Sequence, residues 1–125
     1  MLVDTDILIW VQRGNKKASE LINGSPVRNI SLYTYLELLQ GAQSKKQHET
    51  VKNFLQECGF ETIPLSQNIG HRAAIYLEEY SLSCGLTAGD AIIAATAAES
   101  AEELATGNAK HFKPIKELRL KIFRP

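Results

Sequence analysis

Apolar positions along the chain alternate between short strand-like runs and helical stripes. Leu2-Val3 opens as a strand, Asp4 and Asp6 interrupt, and Ile7 to Arg13 reads as a short helix stopped by Gly14-Asn15. Lys16 to Asn23 sets Ala18, Leu21 and Ile22 on one face, with Gly24 beyond its end as a helix terminator. Gly24-Ser25-Pro26 is turn chemistry, and Val27 to Ile30 reads as a second strand. Ser31 to Ala42 returns to helix through Tyr35, Leu36, Leu38 and Leu39. Gln43 to His48 is polar and expected on the surface; Val51, Phe54, Leu55 and Cys58 then form a helical stripe ended by Gly59.

The second half repeats the alternation. Glu61 to Pro64 reads as a short edge strand. Ser66 is placed to cap the longest helix, which carries Ile69, Ala73, Tyr76, Leu77 and Tyr80 on one side and closes at Gly85. Thr87 to Glu99 is small or apolar almost all round, the pattern of a helix buried against a sheet. Leu104-Ala105-Thr106 reads as a strand, Gly107 to Lys113 as a loop, and Ile122-Phe123 as a last strand. Strands alternating with helices predict one three-layer α/β/α domain over residues 1–125, with a mostly parallel central sheet.

Composition narrows the function. The chain has 125 residues, enough for one domain with its own core. Its 14 basic residues balance 14 acidic ones, so contact with a nucleic acid needs a local patch and not a global field. Candidate patches are Arg13 with Lys16 and Lys17, Lys45-Lys46, and Lys110 with Lys113; each reads equally well as a solvated face. Cys58 and Cys84 lack the spacing of a zinc site and read as reduced thiols of a cytoplasmic protein. No basic, apolar leader opens the sequence, so no secretory signal is expected, and the run Ala91 to Ala98 is far too short to span a membrane.

Three acids fall at the starts of elements. Asp4 follows the first strand, where an open α/β sheet presents side chains to its ligand crevice. Asp4 or Asp6 serves equally as the cap of the helix beginning at Ile7. Thr34-Tyr35-Leu36-Glu37 and Thr87-Ala88-Gly89-Asp90 both fit the Ser/Thr-x-x-acid pattern of a helix start, which gives Glu37 and Asp90 a structural role as an alternative. Asp90 is nevertheless the only charged residue between Glu79 and Glu99. Desolvating it without a partner costs several kcal/mol. A helix end, solvent or a cation would relieve that cost, and oxygen ligands from separate elements suit Mg²⁺ or Mn²⁺.

Four blocks carry a family resemblance: Leu2-Val3-Asp4-Thr5-Asp6-Ile7-Leu8-Ile9, Thr34-Tyr35-Leu36-Glu37-Leu38-Leu39-Gln40-Gly41-Ala42, Leu86-Thr87-Ala88-Gly89-Asp90-Ala91-Ile92-Ile93, and Ala105-Thr106-Gly107-Asn108-Ala109-Lys110-His111-Phe112. In order and spacing the chain resembles the PIN-domain ribonucleases, and more narrowly the VapC-type toxins of type II toxin–antitoxin modules. The resemblance implies a Mg²⁺- or Mn²⁺-dependent endoribonuclease whose metal-binding carboxylates are Asp4, Glu37 and Asp90. It places Asn108 at a fourth, usually acidic position, where it adds no charge for a second ion. Thr5, Thr106 and Asp6 fall around these ligands, and Lys110 falls at the rim toward RNA. His48, His71 and His111 share no spacing, and His111 is the one nearest the expected phosphate.

The same resemblance implies an antitoxin partner, a homodimer, and contact with DNA only through the antitoxin. Leu8, Ile9, Trp10, Leu38 and Leu39 are the apolar residues set against that partner, with core packing as their other use. Two rival functions stand beside the ribonuclease. A haloacid-dehalogenase-like phosphatase would use Asp4-Thr5-Asp6 as nucleophile and acid, but leaves Glu37 without a task. A PIN-like binding module with a weakened site would fit the neutral charge and Asn108.

Overall fold

In a computed structural model that describes residues 1–125, five short strands form one parallel sheet. They are β1 (Leu2–Val3), β2 (Asn29–Ser31), β3 (Glu61–Ile63), β4 (Leu104–Thr106) and β5 (Leu120–Ile122), ordered β3-β2-β1-β4-β5. Parallel neighbours need crossovers, and the helices supply them. Helices α1 (Thr5–Gln12) and α2 (Lys16–Asn23) link β1 to β2, and α3 (Leu32–Gly41) and α4 (Lys45–Glu57) link β2 to β3. Helices α5 (Gln67–Cys84) and α6 (Ala88–Glu99) lead to β4, and the one-turn α7 (Ala109–Phe112) leads to β5.

The pleat divides the core in two. Leu2 and Leu104, paired across β1 and β4, point into a layer with Ile69, Ala73, Tyr76, Ile93 and Phe112. Their neighbours Val3 and Ala105 point the other way, into a layer with Ile7, Leu8, Ile22, Leu38, Val51 and Leu55. This alternation is the period-two geometry of a strand covered on both faces. It establishes the three-layer α/β/α arrangement expected from the sequence. The order of strands reverses between β1 and β4, so the crevice at their carboxyl ends is the topological switch point of the sheet. No helix is long and apolar enough to cross a membrane.

Several boundaries differ from the sequence pattern, each for a local reason. Helix α1 begins at Thr5, because Asp4 takes extended backbone and its side chain accepts from the Thr5 N–H; Asp6 lies inside the first turn and is not the cap. Ser31 ends β2 and caps α3 through the Thr34 N–H at 3.0 Å, so Thr34 and Glu37 lie within the helix and form no capping pair. Ser44 starts α4 inside the polar Gln43 to His48 stretch, which is surface as expected but mostly helical. Gly107 to Lys113 contains α7 instead of being all loop. Val27 is exposed and β2 starts two residues later, while β5 ends at Ile122. Gly85 does close α5, in the left-handed conformation (φ 71°) that glycine adopts without strain.

Candidate active site

Residues from four parts of the chain surround one pocket of about 230 Å³. Asp4 and Asp6 come from the β1–α1 junction, Glu37 from α3, Asp90 from the start of α6, and Asn108 from the turn after β4. Thr5, Ile9, Tyr33, Thr87, Gly89 and Ile93 complete the wall, and no lysine or arginine is among its residues. The pocket opens at the carboxyl ends of β1 and β4, the place a doubly wound sheet reserves for ligands.

Asp4 is nearly buried, with 7% of its surface exposed. One carboxylate oxygen accepts from the Thr5 N–H at 2.7 Å and the other from the Thr106 hydroxyl at 2.7 Å. Thr106 is fully buried at the end of β4 and in turn accepts from the Asn108 N–H at 2.9 Å. Burial, and next the neighbouring Asp6, push the Asp4 carboxyl up to about 7, against the downward pull of the Thr106 and Thr5 hydrogen bonds. Asp6 is raised as well, chiefly by burial, although the Gly107 N–H donates to it at 3.0 Å. Its second oxygen, Oδ1, is buried with no hydrogen-bond partner.

Glu37 is held by a line of hydroxyls. The Thr5 hydroxyl lies 2.7 Å from Glu37 Oε1 and 3.0 Å from the Thr34 hydroxyl, and Ser31 Oγ lies 3.2 Å from Thr34 Oγ1. A hydroxyl has one proton to give. When Thr5 donates to the carboxylate, Thr34 donates to Thr5 and Ser31 to Thr34, so each bond polarises the next. Ser31 and Thr34 are fully buried, which holds the line to one geometry.

Asp90 has two tasks. It completes a capping box with Thr87, accepting from the Thr87 N–H while the Thr87 hydroxyl accepts from the Asp90 N–H at 3.2 Å. The structural alternative read from the sequence is therefore real for Asp90, and it fails for Glu37. The same Asp90 oxygen stands 3.1 Å from His111 Nδ1. A bond to a carboxylate requires a proton on that nitrogen.

Comparison with known proteins bears on this pocket. The PIN domain family matches residues 1–118. The chain belongs to the PIN-domain family. It is 33% identical over 124 residues to Ribonuclease VapC1 of Methanocaldococcus jannaschii, covering 98% of this chain and 86% of that protein. It is also 35% identical, with a TM-score of 0.79, to a chain of a toxin–antitoxin complex from Klebsiella pneumoniae, covering 94% and 93% of the two chains. A structure of VapBC2 from Rickettsia felis, bound to a promoter DNA fragment, matches at TM-score 0.80 with 23% identity over 98% of each chain, a likeness of fold.

Within this PIN domain, the expected residues Asp4, Thr5, Asp6, Glu37, Asp90 and Asn108 all line the pocket, and Thr106 reaches it through Asp4. Lys110 does not line it; it is exposed on α7, the helix that replaces the expected loop. Sequence reasoning missed Tyr33, Gly89, Ser31 and Thr34. Thr34 carries a signal, three residues before Glu37, but that spacing suggests a cap as the alternative to a site and not the hydroxyl contact. His111 meets Asp90, and the turn that brings it there was not visible in the pattern. Of the apolar residues assigned to a partner face, Leu8 and Leu38 are buried in the core, whereas Ile9 stands 36% exposed.

The donor chemistry of the pocket fits a hard divalent cation. Four carboxylates and an amide face it with no basic counter-charge, and Asp6 Oδ1 is an acceptor with nothing to accept. The acids share a pocket but not a point. No three acidic, histidine or cysteine side chains converge tightly enough to grip an ion in the positions they occupy.

Proposed function

We propose that this chain is the toxin of a toxin–antitoxin pair, an endoribonuclease that uses Mg²⁺ or Mn²⁺ to hydrolyse RNA phosphodiester bonds and inhibits translation when free. The observation that carries the reading is the pocket at the switch point, with four carboxylates and no cation in its wall, on a chain of the PIN-domain family. Asp4, Glu37 and Asp90 would hold the ion, with Asp6 Oδ1 facing its surroundings and Asn108 beside it as a neutral donor. Such an ion neutralises charge at phosphorus and lowers the pKa of water at the site.

The chain's own residues do the rest. Thr5 and Thr106 fix the directions of the Glu37 and Asp4 carboxylates, and His111 and Thr87 fix Asp90. No serine or cysteine lines the pocket and the Thr5 and Thr87 hydroxyls are taken up by Glu37 and the Asp90 N–H, so on this reading water is the nucleophile and the protein contributes aim. The phosphatase alternative falls with the family match and because Glu37 is a wall residue of the site.

The test is cleavage of single-stranded RNA by wild type, Asp4→Asn and Asp90→Asn, each with Mn²⁺, Mg²⁺ or EDTA. Wild type is expected to cut only with metal, and both variants to lose cleavage while keeping their circular dichroism. A variant that cuts at the wild-type rate, with contaminating nuclease excluded, would remove the site. The observation that favours the second reading, a weakened binding module, is Asn108 where a charge is usual. A wild type that never cuts with Mn²⁺ but still binds a partner would establish it.

The antitoxin reading rests on a groove next to the pocket. Thr5, Ile9, Gln12, Glu37, Leu38, Gly41, Ala42 and Val51 border a space of about 400 Å³ that shares Thr5, Ile9 and Glu37 with the acid pocket. A partner segment lying there would block the acids. The toxin would pair with a second copy of itself, and DNA contact would come through the antitoxin. Co-purification with the co-encoded neighbour, with light scattering of the free chain, checks both. A monomer that ignores its neighbour would count against the complex.

A further inference from the structure

The acid pocket poses a problem for its own substrate. RNA brings phosphates to a wall of four carboxylates with no lysine or arginine among them, so charge does not hold the chain in place. A divalent ion at the acids would grip a phosphate, but the protein's own contribution to binding at the wall must come from neutral groups. One aromatic ring belongs to it, Tyr33.

Tyr33 packs in part against the core layer of Leu2 and Ile93, and three observations set it apart from a residue that only packs. It sits in the first turn of α3, four residues before Glu37, so both side chains project from the same face of the helix. Its ring lies so close over Gly89, the residue before Asp90, that a Cβ there would meet the ring carbons, with the phenol oxygen 2.6 Å away. Gly89 thus leaves room for the ring, and the ring is clamped against the start of α6. Finally, the side chain is only partly buried, and no hydrogen bond within the chain engages its hydroxyl. The contrast is Tyr76, a buried core tyrosine whose hydroxyl is satisfied by Glu117. Burial and the charges of Glu37 and Asp90 keep the Tyr33 phenol neutral, above its ordinary range.

We propose that Tyr33 is a substrate-binding residue whose ring stacks on the nucleobase beside the phosphate that Asp4, Glu37 and Asp90 surround. A π-face attracts any base and is indifferent to the acids around it. The ring fixes where a single strand crosses the pocket, and its tolerance for different bases leaves sequence choice to other contacts. This inference rests on the ribonuclease reading, and the experiment separates the two.

Cleavage of a short, mixed-sequence single-stranded RNA with Mn²⁺ is compared for wild type, Tyr33→Phe and Tyr33→Leu. Tyr33→Phe is expected within about threefold of wild type in KM and kcat. Tyr33→Leu is expected to raise KM at least fivefold or so, the lower bound for a lost base stack, with kcat nearly unchanged. An unchanged KM, or a fall in kcat alone, overturns the proposal, the latter because the ring would then only space Glu37 from Asp90. Absence of wild-type cleavage condemns the ribonuclease reading instead. Since Tyr33→Leu can fail to fold, the second measurement uses wild type: RNA carrying 5-iodouridine is photo-crosslinked in EDTA and the adduct mapped by mass spectrometry. An adduct on Tyr33 supports stacking; adducts confined to other residues overturn it.

Discussion

Asp4→Asn isolates the electrostatic cost of building the pocket. In the unfolded chain the Asp4 carboxyl ionises near its ordinary 3.8, and in the folded protein near 7. Below about pH 4 it is protonated in both states and costs nothing. Between 4 and 7 the unfolded chain releases the proton and the folded one keeps it, so stability falls with rising pH; above 7 the loss is complete. The interval is roughly 3 pH units at about 1.4 kcal/mol each, so the full loss is on the order of 4 kcal/mol. Such a loss lowers the melting temperature of a domain this size by roughly 10–20 °C. Asparagine keeps the bond from the Thr5 N–H but reverses the bond to Thr106, a cost of about 1 kcal/mol at any pH. Wild type should therefore be slightly more stable than Asp4→Asn at about pH 3.5, equal to it near pH 4.5 and clearly less stable at pH 8. The assay is urea denaturation in EDTA at half-unit steps of pH, taking the difference between the two proteins so that other titrating groups cancel. Parallel profiles, with no change of sign, would refute the reasoning and return Asp4 to an ordinary carboxylate.

Three further outcomes follow from the geometry. Asp90→Asn should lower the apo melting temperature, because it removes a charged capping-box residue at a helix N-terminus, worth about 0.3–1 kcal/mol, and its contact to His111. Saturating Mn²⁺ should raise the wild-type value by about 10 °C and the variant's by less, read by differential scanning fluorimetry. Thr5→Val should cut cleavage or Mn²⁺ affinity roughly 10–100-fold with little change in fold, since Glu37 loses its 2.7 Å hydroxyl partner; equal titration curves would count against the hydroxyl line. Gly89→Ala should raise KM for RNA while the melting temperature moves little, because the ring of Tyr33 is displaced as α6 gains helix propensity; an unchanged KM would mean the ring relocates freely.

The fold was legible because its signals are local and repeated. Leu2-Val3, Leu104-Ala105 and the nearly all-apolar α6 announced a buried parallel sheet, and Gly59 and Gly85 marked helix ends by their positive φ. Asp4 and Asp90 were legible through their place at element starts, and Glu37, inside α3, through the family-like blocks. Pairing of side chains far apart in sequence was not. The hydroxyl line from Ser31 to Glu37 depends on Thr5 arriving from another helix, and the packing of Tyr33 on Gly89 joins residues 56 positions apart. The spacing Thr34-x-x-Glu37 misled because the competing cap, Ser31, sits one turn earlier and wins the free N–H. Lys110, expected at the rim, stands exposed on α7 outside the pocket wall because the turn after Asn108 winds into that helix.

The order of the strands has a consequence for the moment of synthesis. The central strand β1 is made first, but its neighbour β4 begins only at Leu104, and the hydroxyl that orients Asp4 arrives with Thr106. A chain still lacking its last fifth has Asp4, Asp6, Glu37 and Asp90 but no Thr106, Asn108 or His111, and one edge of β1 lies open. The hydrogen bonds that orient Asp4 and Asp90 are complete only once the chain is long enough to close the sheet and wind α7, whereas the groove bordered by Thr5 to Val51 is encoded in the first half of the chain.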